Sequence, residues 1–150
     1  MVAELNAEVQ RLHAAHLPDR FTAPDPAVFH AWAAERLARP DTDVWLAELE
    51  GTVVGYVLCV EVERPATPFG PARRFLELEQ IGVTGAARRR GVGRRLVEQA
   101  VAEAEARGLG EVELSSFAFN TEAHALFVAM GFTPRIVRFV RATIDRKAGR

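Results

Sequence analysis

The sequence predicts an α/β fold of the mixed-sheet (α+β) kind, in which mostly antiparallel strands are flanked by about four helices. Three observations support this prediction: two amphipathic segments come first, a run rich in β-branched residues follows, and two strand-helix units come next. With 150 residues, of which 49% are hydrophobic and 26% are charged, the chain has the size and composition of one globular domain. We therefore expect a single domain over residues 1–150.

The first two elements are predicted to be helices. Apolar residues recur at helical spacing from Glu4 to His16. A second amphipathic segment begins after Asp25, which suits the N-cap position, and ends before Pro40, because proline cannot continue a helix. Two helices therefore precede the first strand.

The middle of the chain is predicted to form a hairpin and two strand-helix units. Residues 44–62 are divided by Glu50-Gly51, which is typical of a turn between antiparallel strands. Residues 63–74 contain four proline and glycine residues, so a loop is expected there. The units comprise a strand over residues 75–83 with a helix over about 93–107, and a strand over 111–116 with a helix over about 121–130.

Short signals mark the ends of the last helices. Gly108 and Gly131 lie where left-handed C-caps are expected, and Asn120 lies where an N-cap side chain would accept a backbone N–H bond. A final strand is expected over residues 135–144. The short basic tail after it is expected to be frayed.

Charge and cysteine content limit the classes of partner and compartment. A net charge of -1 excludes binding to nucleic acid or to an anionic membrane through whole-molecule electrostatics. Cys59 is the only cysteine, so no intramolecular disulfide can form, and its apolar neighbours predict a buried thiol. The N-terminal residues lack the pattern of a signal peptide, and no metal site is indicated. We expect a cytoplasmic protein with no nucleic-acid or membrane partner.

A segment rich in arginine and glycine, residues 88–94, directly precedes the third amphipathic helix; we call it the arginine-glycine loop. Five arginines fall within residues 88–95. Glycines at a helix N-terminus let the backbone approach a ligand, while free N–H groups and the helix dipole favour an anion. Arginines add charge-assisted contacts to phosphate oxygens. The loop is therefore a candidate site for a pyrophosphate.

Two other interpretations of the arginine-glycine loop stay open at this point. Its arginines could form a solvated cluster, with the glycines only building a turn, or they could bind nucleic-acid phosphates. The second interpretation is disfavoured because the basic residues are confined to one loop without an aromatic stacking platform. The loop also lacks the Gly-Lys-Ser/Thr end of a Walker motif and the G-x-G-x-x-G of dinucleotide sites. Nucleoside triphosphates and nicotinamide cofactors are therefore disfavoured.

The pattern Arg88-x-x-Gly91-x-Gly93 resembles the Q/R-x-x-G-x-G/A signature of the GCN5-related N-acetyltransferase (GNAT) superfamily. Residues 78–83 resemble the central strand of that family, and residues 120–132 resemble its N-x-x-A-x-x-x-Y-x-x-x-G-F helix. The resemblance implies a sheet splayed around acetyl-CoA. It also implies transfer of the acetyl group to a primary amine of a small molecule or peptide by direct attack; a homodimer is compatible with the sequence.

The resemblance also implies the residues that bind the cofactor. The pyrophosphate would lie on the backbone N–H groups of Arg88, Arg89, Arg90, Gly91, Val92, Gly93 and Arg94. Pantetheine would pair like an extra strand with the backbone of Ile81 and Val83, and the Asn120 side chain would help to hold it. For Asn120, a plain helix cap is an equally good interpretation.

Glu77 and Glu79 are the candidate general bases. An amine is mostly ammonium at neutral pH and only the free amine attacks a thioester, so a proton acceptor is needed. Strand alternation predicts one face with Phe75, Glu77, Glu79, Ile81 and Val83, and the other with Leu76 and Leu78. Two carboxylates on such a strand indicate a cleft or an exposed edge. We expect at least one of them to act, directly or through water; plain solvent exposure is the alternative.

The chain departs from the family at Phe127, which stands where many relatives have the tyrosine that protonates the leaving thiolate. Phe127 is therefore assigned to the cofactor-binding residues without an acid role, and its default role is core packing. The only tyrosine, Tyr56, is expected in the hairpin. A non-catalytic domain that binds acetyl-CoA is thus the alternative function. His13 and His16 lie near the implied acceptor site, although a solvated helix end is the more common role for histidines.

Overall fold

The computed structural model describes residues 2–143 and has the predicted α/β fold. In chain order its elements are α1 (Val2–His16), α2 (Pro26–Leu37), β1 (Thr42–Leu49), β2 (Thr52–Arg64), β3 (Arg73–Val83), a short 3₁₀ helix (Gly85–Ala87), α3 (Val92–Ala106), β4 (Val112–Leu114) and α4 (Thr121–Ala129). The strands lie in the order β1-β2-β3-β4, with antiparallel pairs except for the parallel pair β3–β4. The mostly antiparallel sheet with four flanking helices is confirmed. In the described range no helix has the length and apolar character needed to cross a membrane.

Capping residues define the start of α2 and the ends of α3 and α4 as the sequence predicts. The Asp25 carboxylate Oδ1 accepts hydrogen bonds from the backbone N–H groups of Ala27 (2.9 Å) and Val28 (3.4 Å) at the start of α2. Gly108 and Gly131, which follow α3 and α4, have φ of 67° and 87°. Because this left-handed conformation is accessible to glycine without strain, both positions end their helices.

The hairpin of β1 and β2 turns at Glu50-Gly51, where both residues have positive φ (53° and 76°), as a two-residue hairpin turn requires. Tyr56 and Cys59 of β2 are fully buried, which confirms the expected sheet position of the tyrosine and the buried thiol. Burial raises the pKa of the Cys59 thiol to about 12. The thiol therefore stays protonated and unreactive at neutral pH.

One face of the sheet, which we call the α3 face, carries the continuous apolar core. Side chains of β2 and β3 on this face pack against the apolar stripe of α3. Its buried members include Val57, Cys59, Leu76, Leu78, Leu96, Val97 and Ala100. Strand alternation and helical periodicity together explain the cluster, since each element contributes its apolar side.

A β-bulge interrupts β3 at Glu79. Leu78 lies opposite Cys59, and Gln80 lies opposite Leu58, the residue before Cys59, so Glu79 is an extra residue in β3 with no partner of its own on β2. An extra residue of this kind changes the alternation of side chains beyond it and increases the local bend of the strand.

The bulge overturns part of the predicted alternation in β3. Residues that lie opposite each other across a ladder point to the same face, so Ile81 and Val83 lie on the α3 face with Leu78. Glu77 and Gln80 point to the other face. The prediction that Ile81 and Val83 share a face with the glutamates is therefore wrong, because the extra residue shifts the pattern by one.

The opposite side of the sheet, which we call the α1–α2 face, is covered by α1 and α2. Close packing of α1 depends on Gly82, because a Cβ at this position would lie 2.7 Å from the Tyr56 ring and 3.2 Å from Val9 of α1. A larger residue at Gly82 would push α1 away from the sheet. This glycine therefore fixes how closely α1 approaches the strand that carries the two glutamates.

The prediction of a final strand over residues 135–144 is wrong for residues 135–143, which form no strand. Residue 144 and the basic tail lie outside the described residues. Arg135, Arg138 and Arg141 recur at every third position, which does not match the two-residue alternation of a half-buried strand. Ile136 and Phe139 are about nine-tenths exposed. The segment therefore does not extend the sheet at its β4 edge.

Candidate functional site

A gap opens between β3 and β4. The two strands pair over three residues each, and β3 continues beyond Leu78 to Val83 without pairing to β4 within the described residues. The Thr84 N–H donates to the Val54 carbonyl of β2 (2.9 Å), and the direction of backbone groups alternates along a strand. The N–H and C=O groups of Ile81 and Val83 therefore point toward the gap. They form an open edge that an extended ligand can pair with.

The N-terminus of α3 lies beyond the end of β3. Its N-cap residue Gly91 has φ of 81°, and no side chain among the described residues caps the helix. The Arg95 N–H is the first to bond back along the helix, to the Gly91 carbonyl (3.1 Å). The N–H groups of Val92, Gly93 and Arg94 therefore have no carbonyl partner inside α3, and the helix dipole makes this end positive. The end of the arginine-glycine loop thus presents a helix N-terminus whose free N–H groups favour an anion.

The arginines at positions 88, 90 and 94 of this loop are about half exposed and lie 3.4–4.0 Å from the carboxylates of Glu8, Glu50 and Glu98. The Arg88 Nε–H donates to the Val83 carbonyl (3.2 Å), which holds the start of the loop against the end of β3. The Arg90 guanidinium lies 3.4 Å from the Glu50 carboxylate, and both side chains are at least half exposed. Exposed pairs of this kind contribute little and are easily exchanged for other anions.

Asn120 directly precedes α4, Phe127 lies within it, and the two differ in their surroundings. Asn120 occupies the N-cap position, but its side chain forms no capping hydrogen bond, so the predicted cap interaction is wrong. Its amide is free for another partner. Phe127 is 7% exposed and packs against Phe132, with ring centroids 5.9 Å apart, as part of the core on the α3 face. The expectation that Phe127 packs in the core is confirmed.

The two glutamates of β3 both reach the α1–α2 face, and their carboxylates have different partners. Glu79 forms an ion pair with Arg36 of α2, and each of these side chains is about one quarter exposed. The Arg36 guanidinium also lies over the Trp32 ring, 5.5 Å from its centroid. Glu77 makes no hydrogen bond or ion pair with any described residue. Glu77 therefore has the free carboxylate, whereas that of Glu79 is fixed.

A buried polar network that the sequence did not indicate lies next to the bulge. The Asn6 Nδ2 donates to the Tyr56 hydroxyl (2.9 Å) and to Gln80 Oε1 (3.1 Å), and the Tyr56 hydroxyl donates to the same Gln80 oxygen (3.0 Å). Burial raises the pKa of Tyr56 to about 12, so its hydroxyl remains a donor. The network fixes the side chain of Gln80, the residue after Glu79.

A cavity of about 610 Å³ lies between α1 and α2 above Gln80. We call it the α1–α2 cavity. Its principal lining side chains are Asn6, Gln10, Asp25, Phe29, Trp32 and Gln80. The oxygen Oε1 of Gln10 is buried and has no hydrogen-bond partner within the described part of the chain. These residues come from three separate segments, so no sequence motif could have indicated the cavity.

His13 and His16 belong to an aromatic cluster of five rings. The cluster joins the end of α1 to the loop after it and to the loop between β4 and α4; its other members are Phe21, Phe117 and Phe119. His13 stacks on Phe21 at 4.9 Å, and His16 stacks on Phe119 at 4.2 Å. Burial, assisted by the neighbouring His16, lowers the pKa of His13. Both histidines therefore have a packing role.

Comparison with known proteins identifies relatives of this chain. The family model described as "Acetyltransferase (GNAT) family" matches residues 6–132. N-acetyltransferase family 8 member 3 of Rattus norvegicus is 35% identical over 88 residues. That stretch covers 59% of this chain and 37% of the rat protein, so the chain corresponds to well under two thirds of this relative.

Solved structures share the fold over most of the chain. A mutant form of a protein from Bacillus halodurans superposes with a TM-score of 0.86 and 22% identity, covering 95% of this chain and 92% of that one. An aminoglycoside N-acetyltransferase in complex with CoA has a TM-score of 0.66 and 21% identity, covering 80% and 79%. At these identities the likeness shows the fold alone.

Proposed function

The chain belongs to the GNAT family of acetyltransferases, and on that premise we propose that residues 1–150 form one domain that transfers the acetyl group of acetyl-CoA to a primary amine. The observation that carries the proposal is the open edge of β3 at Ile81 and Val83 leading to the uncapped N-terminus of α3. An extended ligand that ends in a pyrophosphate fits both features. The family uses acetyl-CoA, whose bound thioester supplies the activated acetyl group.

The proposed cofactor contacts use these backbone groups. Within the arginine-glycine loop, residues 88–94, the N–H groups other than that of Arg88, which donates to the Gly85 carbonyl (3.3 Å), receive the pyrophosphate, and the arginines neutralise its charge. The backbone groups of Ile81 and Val83 receive the pantetheine amides, and the Val83 carbonyl also accepts from Arg88. Asn120, whose amide makes no cap interaction, is placed as a further polar contact. Phe127 is buried, so its proposed contribution is to hold α4 in position from the core.

A carboxylate of β3 is proposed to remove the proton from the amine, directly or through one water molecule. Glu77 is supported by the lack of a partner for its carboxylate among the described residues, and Glu79 by its position next to Gln80, which lines the α1–α2 cavity. The Arg36 partner holds the Glu79 carboxylate in one orientation. The carboxylate would thereby leave the amine neutral and able to form a C–N bond at the acetyl carbonyl. When bound, the cofactor would supply a thioester whose C–S bond breaks to release a thiolate, and a thiol of pKa about 8.5 needs little acid assistance.

A second candidate function is binding of acetyl-CoA without transfer. It is favoured by one observation: Phe127 has no hydroxyl and is buried, so it cannot protonate the leaving sulfur. Release of free thiol from acetyl-CoA in the presence of an amine panel distinguishes the two functions. Turnover with any amine supports transfer, whereas tight binding with no turnover across a broad panel supports the second candidate.

Calorimetric titration with acetyl-CoA tests the proposed cofactor site. In Gly91→Val the left-handed backbone becomes strained, and in Gly93→Val the new side chain crowds Leu126, which lies 3.3 Å from a Cβ built at position 93. We expect each variant to lose several kcal/mol of binding free energy, on the order of 100-fold or more in Kd. Gly70→Val is the matched control, because a Cβ there meets no atom within 4 Å. Unchanged affinity in folded Gly91 and Gly93 variants would overturn the assignment.

A further inference from the structure

The α1–α2 cavity indicates which amines the protein accepts. Resting on the proposed function, we propose that this cavity is the acceptor site and that it selects monoamines with an apolar or aromatic body and no carboxylate. The argument rests on its position, its apolar walls, its charge and one buried oxygen without a partner.

The position of the cavity suits an acceptor. Gln80 lines it from the α1–α2 face, while the next residue, Ile81, turns its backbone toward the gap between β3 and β4. Successive residues of a strand are about 3.3 Å apart, so the cavity and the gap approach the same short piece of β3. An amine in the cavity is therefore close to the part of β3 that is proposed to pair with the cofactor.

The walls of the cavity favour an apolar body. Phe29 and Trp32 of α2 line it with ring centroids 5.3 Å apart, and alanine and proline side chains complete much of the remaining wall. The volume of about 610 Å³ lies within the range of about 300–1,000 Å³ that is usual for sites of drug-sized ligands. An aryl or alkyl group that enters is removed from water, and this burial supplies most of its affinity.

The charge of the lining excludes two common classes of amine. Asp25 is the only charged side chain among the described lining residues, which include no lysine, arginine or histidine. Arg36, close to Trp32, is already paired with Glu79. A ligand carboxylate would therefore be desolvated near Asp25 without a cation, which disfavours amino acids. A polycation would bring more ammonium groups than the cavity has carboxylates, which disfavours polyamines and aminoglycosides.

The buried oxygen of Gln10 provides the polar contact for the amine. Gln10 Oε1 has no partner within the described residues, and a buried acceptor without a donor is unfavourable. Gln80 Oε1, in contrast, already accepts hydrogen bonds from Asn6 and Tyr56. An amine N–H is the donor that Gln10 requires. Gln10 therefore orients the acceptor, while the rings of Phe29 and Trp32 hold its body.

Matched pairs of amines test the selectivity in the assay of thiol release. Tryptamine and tryptophan differ only in the carboxylate, and spermidine supplies a polycation. We expect kcat/KM for tryptamine to exceed the values for tryptophan and spermidine by about 100-fold, because buried unpaired charges are strongly rejected. Equal or better use of tryptophan or spermidine would overturn the proposal, even though such turnover would support acetyl transfer itself.

Binding is measured separately by calorimetric titration of tryptamine into the complex with coenzyme A, which has no acetyl group to transfer. Gln10→Leu is expected to weaken this binding about tenfold by removing the acceptor oxygen. Gln99→Leu, on the exposed side of α3, is the control and leaves binding unchanged. An unaltered Kd in folded Gln10→Leu would overturn the assignment of the cavity. Tryptamine binding that depends on Gln10 without turnover of any amine would support the cavity while overturning acetyl transfer.

Discussion

The two faces of the sheet differ in what covers them. On the α3 face, apolar side chains such as Leu76 and Val97 are fully buried in one continuous core. On the α1–α2 face, the same strands carry a polar network, an ion pair and a cavity. Burial of apolar area stabilises the first face, whereas the second keeps hydrogen-bonding groups available to a ligand. The α3 face thus carries the apolar core that stabilises the fold, and the α1–α2 face carries the carboxylates and the cavity of the proposed reaction.

If this separation holds, the largest effect on turnover comes from the carboxylates of the α1–α2 face. We expect Glu77→Gln or Glu79→Gln to lower turnover about 10²- to 10⁴-fold with acetyl-CoA affinity nearly unchanged, because a proton acceptor is lost while the cofactor contacts remain. Turnover, its pH profile and calorimetric affinity are measured for each variant. Glu63→Gln, on an exposed side chain, is the matched control.

The double variant of Glu77 and Glu79 decides whether either carboxylate is the base. Normal turnover with an unchanged acidic limb of the pH profile in the double variant excludes both. Glu79→Gln also leaves the Arg36 guanidinium without its ion-pair partner, so stability is measured in parallel. A loss of turnover that only follows a loss of folded protein would assign Glu79 a structural role.

The next largest effect concerns the α3 face and is on stability. Leu76→Ala removes a fully buried side chain, and we expect it to lower the free energy of unfolding by about 2–5 kcal/mol. Leu46→Ala, opposite Tyr56 on the α1–α2 face and half exposed, is expected to cost less than about 1 kcal/mol. Urea unfolding measures both. Equal losses would contradict the separation of the two faces.

The elements of this fold are predictable from sequence because their signals are local. The turn at Glu50-Gly51 and the glycines after α3 and α4 act on their own backbone, and each lies where expected. The bulge at Glu79 is different, because it depends on how β3 pairs with β2. Nothing within the alternating sequence around Glu79 marks an extra residue, so the faces of Ile81 and Val83 were wrongly predicted.

The candidate site likewise has one part that a local sequence motif predicts and one part that depends on tertiary packing. Its proposed cofactor side follows a compact motif, next to an open edge of β3 and an uncapped end of α3. The proposed acceptor side consists of Gln10, Asp25 and Gln80, which are distant in sequence and of common residue types. Only tertiary packing brings them together. The ion pair of Glu79 was unpredictable for the same reason.

A smaller effect is expected from Phe127→Tyr, which introduces the hydroxyl that the resemblance to the family motif implies at this position. Because a thiolate leaves readily, we expect turnover to rise about tenfold or less. Phe127 lies in the core of the α3 face, so the added hydroxyl also risks burial without a partner and a loss of stability. Thiol release and urea unfolding are measured together. A gain of several hundredfold would show that the missing acid is the main limit on catalysis.

The smallest expected effect is the pH dependence of stability from His13, which links the two loops over the end of α1. Burial and the neighbouring His16 lower its pKa in the folded protein below the ordinary value of 6.5. As the pH falls below about 6.5, His13 therefore becomes protonated in the unfolded chain while it is still neutral in the folded protein. The free energy of unfolding should decrease on acidification through this window and be unaffected by His13 above it.

The variant His13→Phe isolates this contribution, because it retains an aromatic ring against Phe21 but has no titrating group. We expect its urea midpoint to fall less than that of the wild type between pH 7.5 and pH 5.5, two values chosen to bracket a pKa of about 6.5. His30→Phe, on an exposed position of α2, should retain the wild-type dependence. If the urea midpoints of both variants change with pH as that of the wild type does, packing in the aromatic cluster does not lower the pKa of His13. In that case acid sensitivity in this window has another source, because Glu61 and Glu111, whose arginine partners lower their pKa values, lose their stabilising contribution only below the ordinary glutamate pKa of 4.5.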